Sequence, residues 1–599
     1  MATILHRLVA WADSDPSCVA QSYKEGGVWK SISARDYCDR VYWLALYLQS
    51  QGMQTHNVLT LLSYNCPEWV HCNLAAQLMG AQAAGIYPNS TQKDIHYVLN
   101  HTNSSFLCVQ NREYYQKLVG GAFPELPSHI KQVIVFNGDT SLSSKAIGYQ
   151  TALEEGKRLA GLKGAKSLSS YLQSLNPNQG AFLIYTSGTT GNPKGAILSH
   201  DNLVYTIDIG IKYWQLTRGT GGSLFSFLPL CHIAEVLQNI GGGIELRWNV
   251  NFCSKFENVS IELPQVQPTL LLCVPRLWEK MMEGVMNRID HSSEFKKNLA
   301  LWSLRVGSKA SETLLFSKKK LKIWHRLQLW VADRLVLSKI KRSLGLAQAK
   351  VLVSGAAVLP IHVCRWFRAL GLEIVEDFGQ TESTGIICMT QRGVDCAGTI
   401  GKPVPGLEVK IEGDSEILTR GRHVFKGYFK DEKATAEVLT GGWLHTGDLG
   451  EFDHRGLIKM KGRKKEILKT SGGKMVAPLP IEEALKAAPG ISQVCMVGDG
   501  RKFLSALITL TESKLNELSK VHGTLKEITV TASFVIDEIK KYIDQINESL
   551  ASYEQIKRFA VLSKEFSIDS GEMTPTLKMK RNVIESHYKG IIEKLYELP

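Results

Sequence analysis

The chain has 599 residues, 44% of them hydrophobic, and 70 lysines and arginines against 57 aspartates and glutamates leave a net charge of +13. That length exceeds what one hydrophobic core supports, so two or more domains are expected, and the apolar content excludes a disordered chain. No uncharged apolar stretch is long enough to span a bilayer, and the 12 cysteines lack Cys-x-x-Cys or zinc spacing, which points to reduced thiols in a cytosolic protein.

Along the chain, Arg7 interrupts a mixed helical pattern over 1–12, so no secretory signal is expected. Residues 58–62 read as a strand, 68–79 as a largely apolar helix stopping at Gly80, and 84–87 and 133–136 as further strands. Residues 181–185, Ala-Phe-Leu-Ile-Tyr, form a buried strand leading into Thr186-Ser187-Gly188-Thr189-Thr190-Gly191-Asn192-Pro193-Lys194. In that run hydroxyls and bare backbone N–H groups alternate, and Lys194 adds a charge, the composition of a polyphosphate loop. Lys194 is followed by Gly195 rather than Ser or Thr, so the Walker A pattern does not fit. Ser199, Asp201 and Asn202 are candidate caps for a helix after it. Strands are expected at 270–274, 349–353 and 373–375, and at 494–497 and 505–510 before C-terminal helices. Strands alternating with helices predict a layered α/β fold with mostly parallel sheets, followed by a small α+β unit.

The densest positive charge lies within 296–342, where Lys318, Lys319, Lys320, Lys322, Arg326, Arg334, Lys339, Lys341 and Arg342 interleave with Leu321, Trp324, Leu327, Val331, Leu335 and Ile340. A basic amphipathic helix of this kind suits an anionic membrane surface, and it also suits a surface helix packed on its own domain; both readings stay open. No zinc-finger spacing, heptad-linked basic region or RNA-binding aromatic signature marks the chain as a nucleic-acid binder.

Five segments together resemble the signatures of the adenylate-forming superfamily, which includes acyl-CoA synthetases, luciferases and peptide-synthetase adenylation domains. They are the loop just described, Asp377-Phe378-Gly379-Gln380-Thr381-Glu382, Trp443-Leu444-His445-Thr446-Gly447-Asp448, Gly462-Arg463-Lys464-Lys465-Glu466, and Thr574-Pro575-Thr576-Leu577-Lys578. The resemblance implies a large multi-subdomain AMP-binding domain over 1–464, containing an acyl pocket, and a small mobile lid domain over 465–599 hinged at Lys465. It also implies ATP, Mg²⁺ and coenzyme A as ligands. Thr186, Ser187, Gly188, Thr189, Thr190, Gly191 and Lys194 would then hold the β- and γ-phosphates. Thr381 would donate to the α-phosphate, and Glu382 would hold the metal. Gly355 and Ala356 with Asp377 and Phe378 would form the adenine pocket, Asp448 supported by Arg463 would take the ribose, and Lys578 would reach the reacting carboxylate. After the lid turns, Lys469 and Ser471-Gly472-Gly473 would lie beside the incoming pantetheine. Lys474 stands where many relatives carry Glu, a departure in that segment.

The segment Leu228-Pro229-Leu230-Cys231-His232-Ile233-Ala234-Glu235 resembles the border of the acyl pocket in fatty acyl-CoA synthetases, with His232 at the tunnel mouth. Ile233 stands where amino-acid-activating relatives place Asp, so an uncharged acyl group is expected. Residues 274–279 and 573–578 are similar to long-chain acyl-CoA synthetases, and 467–482 to their bubblegum subgroup. The activity implied is ATP-dependent conversion of a long-chain fatty acid to acyl-CoA through an acyl-adenylate. The alternatives are a medium-chain or aryl acid:CoA ligase, and a catalytically weak lipid- or nucleotide-binding homologue.

Overall fold

The apolar runs of the N-terminal half pair side by side as parallel strands in the computed structural model, which describes residues 2–186, 192–219, 221–316, 321–522, 532–574 and 578–597. One eight-stranded sheet has the order Gly427–Tyr428, Lys194–Ser199, Gly180–Thr186, Gln82–Ile86, Val58–Leu62, Phe106–Val109, Gln132–Val135 and Ala146–Gly148. From Gly180–Thr186 to Ala146–Gly148 all neighbours are parallel. Parallel sheets are covered on both faces, which is why Val58–Leu62 and Phe106–Val109 are apolar along their length and fully buried. The helix Pro67–Leu78 is buried at every residue but Glu68, so it too lacks a polar stripe.

A nine-stranded sheet carries Ile374–Phe378, Val351–Ser354, Leu270–Cys273, Ser223–Ser226, Asn249–Phe252 and Val19–Glu25 in parallel, with antiparallel strands at its edges. A five-stranded antiparallel sheet over 408–463 follows. The C-terminal residues build a three-stranded sheet, Ile491–Val497, Leu504–Leu510 and Ile556–Leu562, against the helices Pro478–Lys486 and Ser533–Asn547. Leu485, Val494, Ile508, Val535 and Ile539 form a core there, separate from that of the large sheets.

Two expectations need correction. The glycine-rich run does not pass directly from strand to helix. Lys194–Ser199 first turns back antiparallel to Gly180–Thr186, where Ala196, Ile197 and Leu198 let it lie between that strand and the edge strand Gly427–Tyr428. The helix His200–Tyr213 begins only at Ser199, whose Oγ accepts from the Asn202 N–H at 3.1 Å while Asn202 Oδ1 accepts from the Ser199 N–H at 2.8 Å. The strand expected at 373–375 runs on as Ile374–Phe378, since antiparallel pairing with Cys388 and Met389 takes in Asp377 and Phe378.

The eight-stranded sheet sits directly against the 228–235 segment. A Cβ on Gly85 would meet the Cys231 Cβ at 2.5 Å and Trp69 Cζ2 at 2.9 Å, leaving no room for a side chain. Gly85→Ala is therefore expected to cost about 1–3 kcal/mol in overpacking, read as a lowered urea midpoint. Unchanged stability would refute this contact.

Candidate functional site

The glycine-rich loop joins the facing ends of two antiparallel strands, where Thr186 pairs with Lys194 across the ladder and the Thr186 Oγ1 donates to the Lys194 carbonyl at 3.4 Å. Ser187, Gly188, Thr189, Thr190 and Gly191 lie outside the described residues. The Lys194 ammonium stands 5.1 Å from the Tyr428 ring centroid. Tyr428 is on the neighbouring edge strand, and its hydroxyl donates to Glu382 Oε1 at 2.6 Å. Burial and the Glu382 carboxylate push the tyrosine's pKa up, so it stays a donor. The loop lysine and the acidic residue of the second motif are thus bridged by a residue that belongs to no motif read from the sequence.

Glu382 is buried within a single 3₁₀ turn, Thr381–Ser383, closed by the Gln380 N–H donating to Ser383 Oγ at 3.0 Å. The turn is possible because Gly379 has no side chain: a Cβ there would meet the Gly385 carbonyl oxygen at 2.1 Å. The Glu382 carbonyl accepts from the Phe425 N–H at 2.8 Å, fixing the turn to the segment leading to Tyr428. Among the described residues no three His, Cys, Asp or Glu side chains converge on a metal position. A lone carboxylate is nonetheless a suitable protein ligand for Mg²⁺, which takes one or two carboxylates and completes its shell with phosphate oxygens and water.

Gly355 and Ala356 follow the strand Val351–Ser354, with Ala356 in the left-handed region at φ 72°. Gly355 faces the next strand, since a Cβ on it would lie 3.5 Å from the Asp377 carbonyl. Asp377 is deeply enclosed at Oδ1, which has no hydrogen-bond partner, and burial lifts its carboxyl well above the usual range. An unpaired buried acceptor next to a flat, small-residue loop fits a planar base carrying an amino group.

Asp448 pairs directly with Arg463 in the antiparallel ladder, which brings Arg463 Nε to 3.1 Å from Asp448 Oδ1. Glu416 secures this turn from below, accepting from the Gly447 N–H at 2.9 Å and pairing with Lys464 at 3.1 Å. Burial raises the Asp448 carboxyl, while Arg463 and Lys578 both pull it down. Lys578 reaches this place from the C-terminal unit. Its N–H donates to Thr574 Oγ1 at 3.0 Å and its carbonyl accepts from the Thr574 N–H at 2.7 Å; residues 575–577 lie outside the described residues. Burial, then the Arg463 cation, depress the Lys578 ammonium to about 8, against the pull of Asp448, Glu382 and Glu466.

His232 caps a short helix, its Nδ1 accepting from the Ala234 N–H at 3.2 Å. That bond assigns the proton to Nε2. Burial and the nearby Lys578 charge lower its pKa to about 3, so the ring is neutral near pH 7. Beneath it, Glu235 takes a 2.5 Å bond from Ser226 and one of 3.1 Å from Asn65, and burial lifts its carboxyl to about 8. Asn65, Ser226, Glu416 and Tyr428 support the site without standing in any recognisable spacing.

The structure therefore brings together Lys194, Thr381, Glu382, Asp448, Arg463, His232 and Lys578 by contact or by charge. It does not bring Lys469 to them: that side chain is exposed, on a hairpin whose Lys469 N–H donates to Asp499 Oδ1 at 2.9 Å. Lys465 is exposed in the turn 464–466, and Lys474 lies over the Tyr553 ring at 5.6 Å.

Comparison with known proteins finds the AMP-binding enzyme family over residues 8–429 and the AMP-binding enzyme C-terminal domain over 465–598. The chain is 31% identical to the long-chain-fatty-acid–CoA ligase ACSBG2 of Mus musculus over 610 residues, covering 96% of this chain and 90% of that one. It is 32% identical to the long-chain-fatty-acid–CoA ligase FadD15 of Mycobacterium bovis over 596 residues, covering 97% and 95%. Its fold is similar to the crystal structure of the anthranilate CoA ligase AuaEII in complex with anthranoyl-AMP, with a TM-score of 0.72 at 18% identity over 99% and 98% of the two chains.

The Lys578 environment makes a direct prediction. Competitive chemical labelling of amines across a pH series should report Lys578 titrating near 8, and Asp448→Asn, which removes a carboxylate that raises it, should lower it further. A titration near the ordinary lysine value would show that Lys578 does not occupy this site.

Proposed function

This chain belongs to the AMP-binding enzyme family, and we propose that it is an AMP-forming long-chain fatty acid:CoA ligase. The observation that carries this reading is the arrival of Lys578, from the C-terminal unit, beside Asp448, Arg463, Glu382 and His232. A carboxylate is a poor acyl donor because its leaving group is oxide. Attack on the α-phosphate of ATP turns it into an acyl-adenylate, releasing pyrophosphate, and a thiol then displaces AMP. Two anions must meet in the first step, and a desolvated ammonium at their junction stabilises charge most where it develops.

In this reading the loop 186–194 grips the β- and γ-phosphates, with Lys194 as a clamp held by Tyr428. Thr381 donates to the α-phosphate. Asp377 Oδ1 accepts from the adenine amino group, Gly355 and Ala356 lie against the base with Phe378, and Asp448 accepts from the ribose hydroxyls. Glu382 would hold Mg²⁺, whose charge would offset that of the phosphates. His232 offers its Nε2–H at the carboxylate end of the acyl group. The helix it caps and the helical stretch Val236–Gly242 that continues it turn Ile233 and Leu237 toward Gly385, an apolar surface that favours an alkyl chain over an amino acid. Lys578 must leave before a thiol can enter. We place the boundary between a large domain, 1–464, and a lid, 465–599, at Lys465; turning there would withdraw Lys578 and present the exposed Lys469 and 471–473 hairpin to pantetheine.

The basic region 296–342 supports contact with a membrane, from which a long-chain fatty acid is drawn. It forms the helices Glu294–Phe316, Ile323–Ala332 and Ser338–Ser343. Ile323, Trp324 and Trp330 are 84%, 71% and 59% exposed, too much for a helix that packs its apolar face inward. Lys322, Arg326 and Arg334 flank them, a pattern suited to anionic headgroups. Among the described residues no helix is long and apolar enough to cross a bilayer. All 12 cysteines are free thiols, most of them buried, which favours a reducing, cytosolic setting.

Three measurements test these assignments. Incubated with ATP, Mg²⁺ and a panel of acids, the protein should release pyrophosphate in response to long-chain fatty acids and form acyl-CoA when CoA is added. Its kcat/KM for adenylation should fall as pH rises through about 8, where Lys578 loses its proton. No fatty-acid-dependent pyrophosphate release would refute the ligase. In vesicle sedimentation, Ile323→Ser with Trp324→Ser should weaken binding to phosphatidylserine-containing vesicles by about tenfold or more. Unchanged binding would exclude this face as the contact.

A further inference from the structure

Away from the phosphate and acyl positions, the large domain and the C-terminal unit meet through a set of ionic side chains that runs from nearly buried to half-exposed. The helix Pro275–Asp290 presents Arg276, Glu279 and Glu283 at spacings of three and four residues, which places them on one face. Arg276 NH1 lies 3.0 Å from Glu279 Oε2 and 3.6 Å from Glu283 Oε1. Its other terminal nitrogen crosses to the C-terminal unit, 2.8 Å from Glu565 Oε1 and 3.0 Å from Ser492 Oγ. Ser492 in turn donates to Glu565 at 2.5 Å. From the C-terminal unit Lys486 reaches back to Glu279 at 3.8 Å and also pairs with Glu483 at 3.0 Å. His362 lies beside Glu279 and Lys486.

The side chain of Arg276 is only 16% exposed and that of Glu279 9%, whereas Glu565 and Glu283 at the rim are 33% and 41% exposed. Burial works against the Arg276 cation, yet Glu565, Glu279 and Glu283 together hold its pKa above the ordinary arginine value. Burial also raises the carboxyls of Glu283 and Glu483, against the pull of Arg276 and Lys486 respectively. Four carboxylates, Glu279, Glu283, Glu483 and Glu565, thus surround two cations, and Arg276 is the one whose planar fork touches both units at once. Without it, three carboxylates would face one another across the interface.

We propose that Arg276 is a positioning residue: by bridging Glu279 and Glu283 to Glu565 it latches the C-terminal unit in the orientation that places Lys578 in the site, and the turn at Lys465 must break this bridge. The proposal rests on the adenylation reading above. Its physics suits a reversible contact. Ion pairs that are buried when closed gain water when they separate, so opening regains solvation in exchange for the lost attraction, whereas removing one partner leaves unpaired charge in the closed form alone. Arg276 keeps Glu279 and Glu283 after opening, and Glu565 keeps Ser492, so neither unit depends on the bridge to stay folded.

The test compares wild type, Arg276→Ala, Arg276→Lys, Arg276→Glu and the charge swap Arg276→Glu/Glu565→Arg in two half-reactions. Adenylation is followed as fatty-acid-dependent pyrophosphate–ATP exchange without CoA, and thioester formation from chemically prepared acyl-adenylate with CoA. Arg276→Ala is expected to slow adenylation by about tenfold or more, mainly in kcat, with thioester formation unchanged or faster. Arg276→Lys should lose less, and the swap should recover much of what Arg276→Glu loses. Amide exchange over 275–290 and 556–566 in the ligand-free proteins should rise in Arg276→Ala while the melting temperature stays near that of wild type. Equal losses in both half-reactions, no recovery in the swap, or unchanged amide exchange would overturn the latch. If wild type forms no adenylate from any acid, the adenylation reading fails, and amide exchange still decides whether Arg276 holds the two units together.

Discussion

One lysine cation in a desolvated place organises the structure. Lys578 is carried by the C-terminal unit and finds its countercharges, Asp448 and Glu382, on the large one. Burial and Arg463 oppose its charge, and the carboxylates favour it. The opposition wins in part, lowering the ammonium to about 8, which leaves it mostly charged at pH 7 and, in the proposed ligase, easier to withdraw than a lysine held by a full ion pair. A lysine locked into a strong, fully dedicated ion pair would be more stable and less mobile.

The scaffold explains why these residues can converge. Thr186, Gly355 and Gly379 each stand where the chain leaves the carboxyl end of a strand of a large, mainly parallel sheet, the edge at which open α/β sheets gather ligands. Glycine and small residues make the exits tight: Gly379 lies against Gly385, and Gly85 lets the 228–235 segment rest on the sheet. Asp448 and Arg463 need no convergence of loops, because antiparallel register alone sets them opposite each other. Tyr428 and Glu416 then tie separate parts together, one linking Lys194 to Glu382 and the other anchoring the turn before Asp448.

Much of this was legible in the sequence because the motifs are local. The strand at 58–62 and the helix ending before Gly80 follow from short-range pattern, and the five signatures mark out residues, Lys194, Glu382, Asp448, Arg463 and Lys578 among them, that the fold brings near one another. What escaped depends on distance along the chain. Tyr428 meets Glu382 across 46 residues, and Asn65 meets Glu235 across 170. No spacing rule reports such pairs. Likewise Arg276 was visible only as part of a resemblance, since its partner Glu565 is 289 residues away. The 186–194 run suggested a strand, loop and helix, and the intervening strand Lys194–Ser199 was hidden because its apolar residues Ala196, Ile197 and Leu198 suit either element. Amphipathic pattern could not tell which apolar residues of 296–342 face outward; Ile323, Trp324 and Trp330 do.

The most direct test of the central claim separates the two half-reactions in Lys578→Ala. The account predicts that adenylate formation from ATP and a long-chain fatty acid is lost almost entirely, while thioester formation from supplied acyl-adenylate and CoA continues near the wild-type rate. Adenylation that survives the loss of Lys578, or thioester formation that disappears with it, would contradict a lysine that enters for the first step and withdraws for the second.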